Sequence, residues 1–496
     1  DTLLFSELIT VNLKSFNRRK REIAFRKIEI HDARINFITD STNTINLKFI
    51  TDRLKRKDTT KVRWKIRMHS IECRKVLFSY KKHSFQTDRK GFDPRDIKLS
   101  DLNFDITNLQ THNDSIDITI ENLKCREQSG LVINNLDFRM YISPYYLNFN
   151  EIYFVSPQSN LTAEKIELLY NGYESLKDFT NNVKLNININ KSSLTSRDLG
   201  FFAPSISRIP GKINLAGHLF GYIANLKGKQ IVAGWGENTH VYCDFALDGL
   251  PDIKKTFIFI DIDSLKTTIQ DIKNISTPDN GKPLSLPNQL EKLGKITYAG
   301  NFTGFIDDFV TYGEFNSDLG LISTDLTIEP DTARLIRYSG KMKTNNFNLG
   351  KLFDNTNRVG NITMDIQVNG FSTENRYKAT LEGNIADLFL NKYHYKNISL
   401  SGEFTPKAYD GSVFIKDPNI ELNFLGSLDF SGEIPEFDFT ANVPKVNLYD
   451  LHIEPKDTNS FLSFLLTANF KGKNLDDLEG KINLINSTYR KMDEEL

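Results

Sequence analysis

The chain has 496 residues, 39% of them hydrophobic and 25% charged, with no net formal charge. That balance excludes a disordered polymer, and the length allows roughly two to four ordinary domains or one repetitive array. Phe (36) and Tyr (18) are abundant while Met (5) and Trp (2) are scarce, which favours strands over helices.

The charge is unevenly spread. Residues 1–100 hold 25 Lys and Arg against 12 Asp and Glu. The basic runs "NRRKR" (17–21) and "RLKRKDTTKVRWKIR" (53–67) fit either an anionic membrane surface or ordinary solvated faces. Cys73, Cys125 and Cys243 are far apart, with no CxxC, so neither a disulfide framework nor a zinc site is expected. No apolar run approaches the ~18 residues of a membrane span, and no signal peptide is visible. The chain starts without Met in already patterned sequence, and so reads as a piece of a longer protein with its anchor or signal upstream.

Taken in chain order, the elements are mostly strands. Ile45, Leu47 and Phe49 alternate with polar residues, "FITDRLKRK" (49–57) is a candidate helix, and Val62, Trp64, Ile66 and Met68 alternate again. The same period of two recurs at Ile116, Ile118 and Ile120, at Leu136, Phe138, Met140 and Ile142, and at Leu185, Ile187 and Ile189. A short helix is expected within 195–205, where Thr195 and Asp198 can form a capping box. Strands follow at Ile213 and Leu215 and at Ile258, Ile260 and Ile262. A second short helix is expected at 286–294, with Pro287 at its first position, before Ile296 and Tyr298. A third is expected at 346–354. "NITMDIQVNG" then places Ile362, Met364, Ile366 and Val368 on one face. Near the end, Ile420, Leu422, Phe424, Leu428, Phe430, Phe437 and Phe439 repeat the pattern, with hairpin turns expected at Gly426 and Gly432 and Pro435 in a turn or at a strand start. Turn signals such as "DNG" (279–281) and "YDG" (409–411) separate the runs. The total is on the order of 25–30 strands.

An internal repeat organises them. "GKINLAGHLFGYI" begins at Gly211 and "GKITYAGNFTGFI" at Gly294, each preceded by one of the short helices. Weaker copies are "VGNITMDIQVNG" (359–370) and a stretch within 464–484. The unit is a short helix followed by several antiparallel strands, as in an elongated array. Repeats are expected over 1–192 (basic), 193–285, 286–345 and 346–496.

Catalytic and metal-binding patterns are missing. The eight histidines have no ligand spacing, and His240 and Cys243 fall on opposite faces of one alternating strand. There is no GxSxG, Walker, HExxH or GxGxxG motif. "FIDDF" (305–309) and "LDDLEG" (475–480) read as turns rather than glycosidase carboxylates. The basic patches lack the aromatic motif of an RNA-binding sheet. The expectation is a non-enzyme with no cofactor, no metal and no nucleic-acid partner.

Helices this few cannot cover the apolar faces of so many strands. The sheet must pack on another sheet or curl over on itself. Without linkers between sandwich-sized domains, the expected fold is mainly β: an elongated, repeating β-groove, one curled antiparallel sheet with a few short helices. About 28 strands spaced ~4.8 Å apart would extend on the order of 130 Å. An apolar trough does not stand empty in water without a large penalty, so the alternating residues above are expected to line it against extended acyl chains, with glycines at the repeated positions permitting the bends.

Several segments resemble the AsmA-like/TamB family, in particular the large TamB-type proteins of the Bacteroidota: "DLGFFAPSISRIPGKINLAGHLFGYIANLKG" (198–228), "ENTHVYCDFALDGLPD" (237–252), "FDPRDIKLSDLNFDITNL" (92–109), "CREQSGLVINNLDFRM" (125–140) and "NLDDLEGKINLINSTY" (474–489). The resemblance implies a periplasmic bridge-like lipid transfer protein. Such a protein is anchored in the inner membrane by an N-terminal helix and carries phospholipid along repeating β-groove units toward the outer membrane. It also implies an outer-membrane barrel partner of the BamA/TamA type, and hence the alternative of a scaffold for barrel assembly. Relative to that family the sequence lacks the anchor and the C-terminal region, so it reads as groove shaft. A hydrolase or adhesin built on β repeats is a third reading.

Overall fold

Alternation with a period of two keeps one set of side chains dry only in extended backbone. The computed structural model follows it, with 72% of residues in strands and 8% in helices. It describes every residue except 1–2, 41–43, 47, 49–64, 83–90, 113, 202–210, 275–287, 331–334, 374–375, 455, 457, 459, 474–476, 492–493 and 496. The helix expected at 49–57, most of the basic run at 53–67 and Pro287 lie outside the described residues. The chain divides into two units, residues 1–252 with 271–284, and residues 253–270 with 285–496.

The strands of the first unit are β1 Leu4–Asn17, β2 Glu22–Thr39, β3 Lys65–Lys82, β4 Asp96–His112, β5 Ser115–Glu127, β6 Val132–Ile133, β7 Asn135–Ile142, β8 Tyr146–Val155, β9 Asn160–Leu169, β10 Lys184–Thr195, β11 Lys212–Tyr222, β12 Asn225–Trp235 and β13 Thr239–Asp248. They pair in chain order to give a curled, unclosed sheet. Pairing is antiparallel except between β2 and β3, which run parallel. Sequential hairpins were the expectation. A parallel neighbour needs a long return connection, and 25 residues separate β2 from β3 in the sequence. The strand expected at Ile45, Leu47 and Phe49 reduces to one bridge, Thr39 to Ile45, with Leu47 and Phe49 outside the described residues.

The second unit contains β14 Phe257–Thr268, β15 Lys295–Phe305, β16 Asp308–Ser317, β17 Gly320–Pro330, β18 Ile336–Asn348, β19 Val359–Ser372, β20 Tyr377–Leu390, β21 Tyr393–Thr405, β22 Ala408–Lys416, β23 Ile420–Asp429, β24 Glu436–Asn447, β25 Phe461–Lys471, β26 Glu479–Lys491 and β27 Glu494–Glu495. It is an antiparallel meander in chain order, also curled and unclosed.

Single residues with positive φ crease the first unit. Asp32 (φ 49), Lys75 (55), Asp101 (51), Asn122 (57), Glu151 (55) and Gln230 (51) each interrupt a strand. At each the apolar set changes phase. In β3, Ile71 and Cys73 precede Lys75, while Val76 and Phe78 follow it; in β5, Ile118 and Ile120 precede Asn122, while Leu123 and Cys125 follow. Without the extra residue, the second half of each strand would present its apolar set to the other face. Instead Ala33, Cys73, Val76, Leu102 and Cys125 are buried together, with Ile30, Ile71 and Phe78 against them. Asp32 and Lys75 occupy matching positions, since Ile30 pairs with Cys73 and Arg34 with Leu77. A bulge bends its strand and raises the local twist, so successive bulges fold the sheet along a line.

The short helices fall near their expected places. Ser196–Gly200 is capped by Thr195, whose Oγ1 accepts from the Asp198 amide at 3.3 Å. The reciprocal half of the box does not form, and the Asp198 carboxylate accepts from Ser156 Oγ. Asn288–Leu293 is a 3-10 turn, and Leu349–Leu352 is capped by Asn348 Oδ1 accepting from the Lys351 amide at 2.7 Å. Lys292 ties these two together, donating to the Leu352 carbonyl at 3.1 Å and pairing with Asp354 at 2.5 Å. The two clear repeat copies occupy β11 and β15, where Gly217 (φ 137) and Gly300 (φ 153) are equivalent. A Cβ on Gly300 would stand 2.2 Å from the Tyr312 carbonyl oxygen, so the close strand approach there requires glycine.

Two turn expectations are corrected. "YDG" (409–411) is not a turn but lies inside β22, where Tyr409, Asp410 and Gly411 pair with both neighbouring strands, and the chain turns instead at 406–407; "DNG" (279–281) lies outside the described residues. Gly426 is not in a hairpin turn but inside β23, opposite Gly411 and Phe439. Alternation runs through it from Phe424 to Leu428. Glycine removes one side chain from the apolar row without ending the strand. Gly432 does lie between β23 and β24, and Pro435 directly precedes β24.

Candidate functional site

Directly opposed residues in an antiparallel pair share a face, so the pairing register shows which side chains line up across the sheet. In the second unit one row runs Ile262, Gly300, Gly313, Thr324, Met342, Ile366, Gly383, Leu400, Val413, Phe424, Ala441, Leu466 and Leu484. Its neighbour includes Ile260, Phe302, Leu326, Val368, Leu381 and Phe439. A third includes Ile258, Phe309, Ile328, Phe404, Leu428, Phe437 and Phe470. The intervening row of the other face reads Asp325, Lys341, Gln367, Glu382, Ser401 and Ser412. The apolar residues therefore form tracks perpendicular to the strands, interrupted by glycines, as at Gly402, Gly411 and Gly426 on three successive strands of the second row.

The first unit has the same arrangement. Ile116, Ile142, Leu147, Leu168 and Leu185 follow one another across β5 to β10, and Ile118, Met140, Phe149, Ile166, Ile187 and Leu219 run beside them. Ile120 continues toward the N-terminal strands through Ile106, Ile71 and Ile28.

The two faces differ in exposure. On the apolar face Ile366 is 3% exposed and Ile398 5%, and Phe424 and Leu422 are half-buried. On the other face Leu425 is 65% exposed and Phe414 48%. In these central strands, side chains of the same type are shielded on one side and open on the other, whereas Ile116 (40%) and Leu484 (59%) of the apolar rows are themselves exposed. Among the described residues, buried apolar groups gather in local clusters, and the substantial element contacts are between neighbouring strands or with the short helices.

Most of the residues predicted to line a groove fall on these tracks: Ile116, Ile118, Ile120, Leu185, Ile187, Ile189, Ile213 and Leu215 in the first unit, and Ile258, Ile260, Ile296, Tyr298, Ile362, Met364, Ile366, Val368, Phe424, Leu428, Phe437 and Phe439 in the second. Some are covered locally. Leu185 and Ile187 pack with Tyr170, Val183 and Phe179, and Ile420 and Leu422 pack with Val446, Leu451 and Leu462. Phe430 lies just past β23, 50% exposed, with its ring edge-on to Phe437 at 5.4 Å. The sequence reading missed an aromatic chain on the same face. Phe404 to Tyr409 (4.6 Å), Tyr409 to Phe424 (6.1 Å) and Phe424 to Phe439 (5.3 Å) step from strand to strand.

Several polar groups near the tracks are internally satisfied, whereas the buried Trp235 Nε1, opposite Ile213, has no hydrogen-bond partner among the described residues. Tyr298 Oη lies 3.2 Å from the Asn301 carbonyl oxygen and 3.0 Å from Thr311 Oγ1. Asp417 accepts from the Lys396 and Asn419 amides (3.0 and 2.9 Å) and from Tyr393 Oη, and burial followed by this contact pushes the Tyr393 hydroxyl up to about 12. Burial pushes the Cys73 and Cys125 thiols up to about 11. His240 is exposed and Cys243 buried on the same strand, so they do not converge. Among the described residues no group of three His, Cys, Asp or Glu could hold a metal ion, and no helix is long and apolar enough to cross a membrane. A depression of about 530 Å³ on the polar face of the second unit is lined by Tyr312, Glu314, Asp325, Lys341 and Lys343. Both lysines pair with Asp365 (3.5 and 2.9 Å), which holds its carboxyl below the usual range.

No family model matches the chain, and no curated protein or solved structure does either.

Proposed function

We propose that the apolar face of each unit is a lipid-binding groove. In this reading the chain is part of a periplasmic bridge of the AsmA-like/TamB kind, carrying phospholipid acyl chains from an inner-membrane anchor toward the outer membrane. The observation behind this is the direction of the apolar rows. They run from strand to strand, so an acyl chain laid across the strands meets hydrocarbon throughout. Roughly four strand spacings of about 4.8 Å span an extended chain of about 20 Å, and each methylene taken from water contributes ~0.8 kcal/mol. Polar headgroups would stay in water at the open side.

Native mass spectrometry of the purified chain is the direct test, with bound phospholipid expected. Ile366→Arg or Phe424→Asp should remove it. A charge against hydrocarbon costs about 2.5–3.5 kcal/mol, so lipid occupancy should fall on the order of 100-fold, while Leu425→Asp on the opposite face should leave it unchanged. A chain free of lipid that crosslinks to nascent outer-membrane barrels would instead support the assembly scaffold.

A further inference from the structure

We propose that the polar face of the first unit carries a binding site for a small carboxylate with an apolar substituent. The site follows from one row of the pairing register. Asn160, Ser193, Asn214, Gly234 and His240 stand side by side across β9 to β13, on the face opposite Ile213 and Leu215. With Lys191 they line a depression of about 370 Å³, within the size range of small-molecule sites. Its floor is low because the row passes through Gly234, where a Cβ would stand 3.1 Å from both His240 Nδ1 and the Thr239 carbonyl oxygen. Lys191 borders it from the bulge of β10 at 190–191, where the register slips between Ile189 and Ser192.

Two features give the depression a ligand preference. First, its polar groups are not used by the fold. Among the described residues the side chains of Lys191, Asn214 and His240 have no hydrogen-bond or ion-pair partner, and no acid lines the depression. Elsewhere on this face cations are neutralised in place, as Lys165 is by Glu167 (3.0 Å) and Arg139 by Asp117 (2.8 Å). Second, the other repeat copy shows the occupied counterpart. Ala216 and Ala299 are equivalent in the two copies, and each borders a depression on the polar face. In the second unit Lys341 and Lys343 of that depression hold the Asp365 carboxylate. In the first unit the carboxylate has to come from outside. Lys191 supplies a point charge on a flexible stem, and Asn214 and His240 supply N–H donors for the carboxylate oxygens. Val232 (47% exposed) and its cross-strand neighbour Tyr242 (40%) give the substituent an apolar surface. A single lysine balances the one charge of a carboxylate, where a phosphate monoester brings ~1.5–2. The site lies on the face away from the proposed groove and does not depend on it.

The test is saturation-transfer difference NMR on the full chain, titrated with N-acetylvaline, its neutral amide, isobutyrate and inorganic phosphate. Both carboxylates should bind. An exposed ion pair is worth about 1.5–5-fold in affinity, so Lys191→Gln should weaken N-acetylvaline by that factor and the amide should bind more weakly than the acid by at least as much. Ala216→Leu, which fills the depression, should abolish binding, while Lys341→Gln with Lys343→Gln should leave it unchanged. Isobutyrate binding at least as tightly as N-acetylvaline assigns the site to free organic acids; tighter N-acetylvaline assigns it to a peptide C-terminus. Equal affinity of acid and amide, a preference for phosphate, insensitivity to Lys191→Gln, or no binding overturns the proposal.

Discussion

Asn122 is the clearest place to test whether bulges set the shape of the sheet. It sits in β5 at φ 57, between the apolar pair Ile118 and Ile120 and the pair Leu123 and Cys125. Its amide donates to Asp137 Oδ1 at 2.6 Å and its side chain to Asp105 Oδ2 at 3.3 Å, both at the surface. Asn122→Gly keeps the amide contact and the left-handed backbone, losing only the exposed side-chain contact, so stability should change by less than about 0.5 kcal/mol. Asn122→Val keeps the amide but places a β-branched residue where it costs roughly 1–2 kcal/mol. Escape from the strain means flattening the bulge, which would send Leu123 and Cys125 to the opposite face. The assay is hydrogen exchange of β4 and β5 amides, because opening of one region need not unfold the other unit. Exchange in the Val variant should be about 5–30-fold faster than in wild type, the range that 1–2 kcal/mol gives, and the Gly variant should match wild type. Equal protection in the two variants would show that the bulge carries no strain and that the phase change has another cause.

Other substitutions probe the remaining features. Gly300→Val should open the β15–β16 pairing, since its Cβ would meet the Tyr312 carbonyl oxygen at 2.2 Å; increased exchange at those strands is the readout. Tyr393→Phe leaves Asp417 two backbone donors but removes the hydroxyl, so the β21–β22 region should lose about 1.5–3 kcal/mol of local stability, measured by exchange. Cys73 and Cys125, with thiols raised to about 11 by burial, should resist alkylation at pH 8 and react only on unfolding. An unfolded thiol loses its proton near pH 8.5–9 while these retain theirs. The first unit should therefore keep this contribution below about pH 8.5 and lose stability as the pH rises toward 11. A constant melting temperature across that window would contradict the burial of both thiols.

Much of this fold was legible because alternation is a direct record of one-sided burial. "NITMDIQVNG" became β19 with Ile362, Ile366 and Val368 all buried, and Thr195 capped the helix that its spacing with Asp198 indicated. The phase changes were visible too. "IECRKVLF" (71–78) moves its apolar set from odd to even positions across Lys75, and β2, β4 and β5 make the same move at Asp32, Asp101 and Asn122, residues whose short polar side chains tolerate φ > 0. At Gly426 the opposite inference was drawn, because a glycine in an apolar row looks like a break when it is only a missing side chain. The parallel pairing of β2 with β3 was not legible. Strand periodicity is the same in either direction, so the alternation in β2 and β3 carries no record of how they pair. Which segments cover the apolar residues was also hidden, since nothing in the pattern around Leu185 announces its contacts with Tyr170 and Phe179.

Rows and clusters have different physical consequences. A globular core gathers apolar groups around a point, so each residue is stabilised by many neighbours and the total is fixed by the fold. Here Met342, Ile366, Gly383, Leu400, Val413 and Phe424 stand in file across successive strands, each beside the next. The stabilisation such a file can offer an apolar occupant is nearly the same at every step along it. An occupant shifted by one strand spacing exchanges one set of contacts for an equivalent set, so binding can be strong in total while the barrier to sliding stays low. Charged side chains on the apolar face would break that equivalence by creating a preferred position, and in the central stretch from β18 to β25 these rows contain none. A single Arg at Ile366 should therefore do more than reduce occupancy. It should divide the track, leaving lipid bound on either side of β19 but unable to pass it, which photo-crosslinking from Phe309 and Phe437 in the same variant would resolve as two separate bound populations.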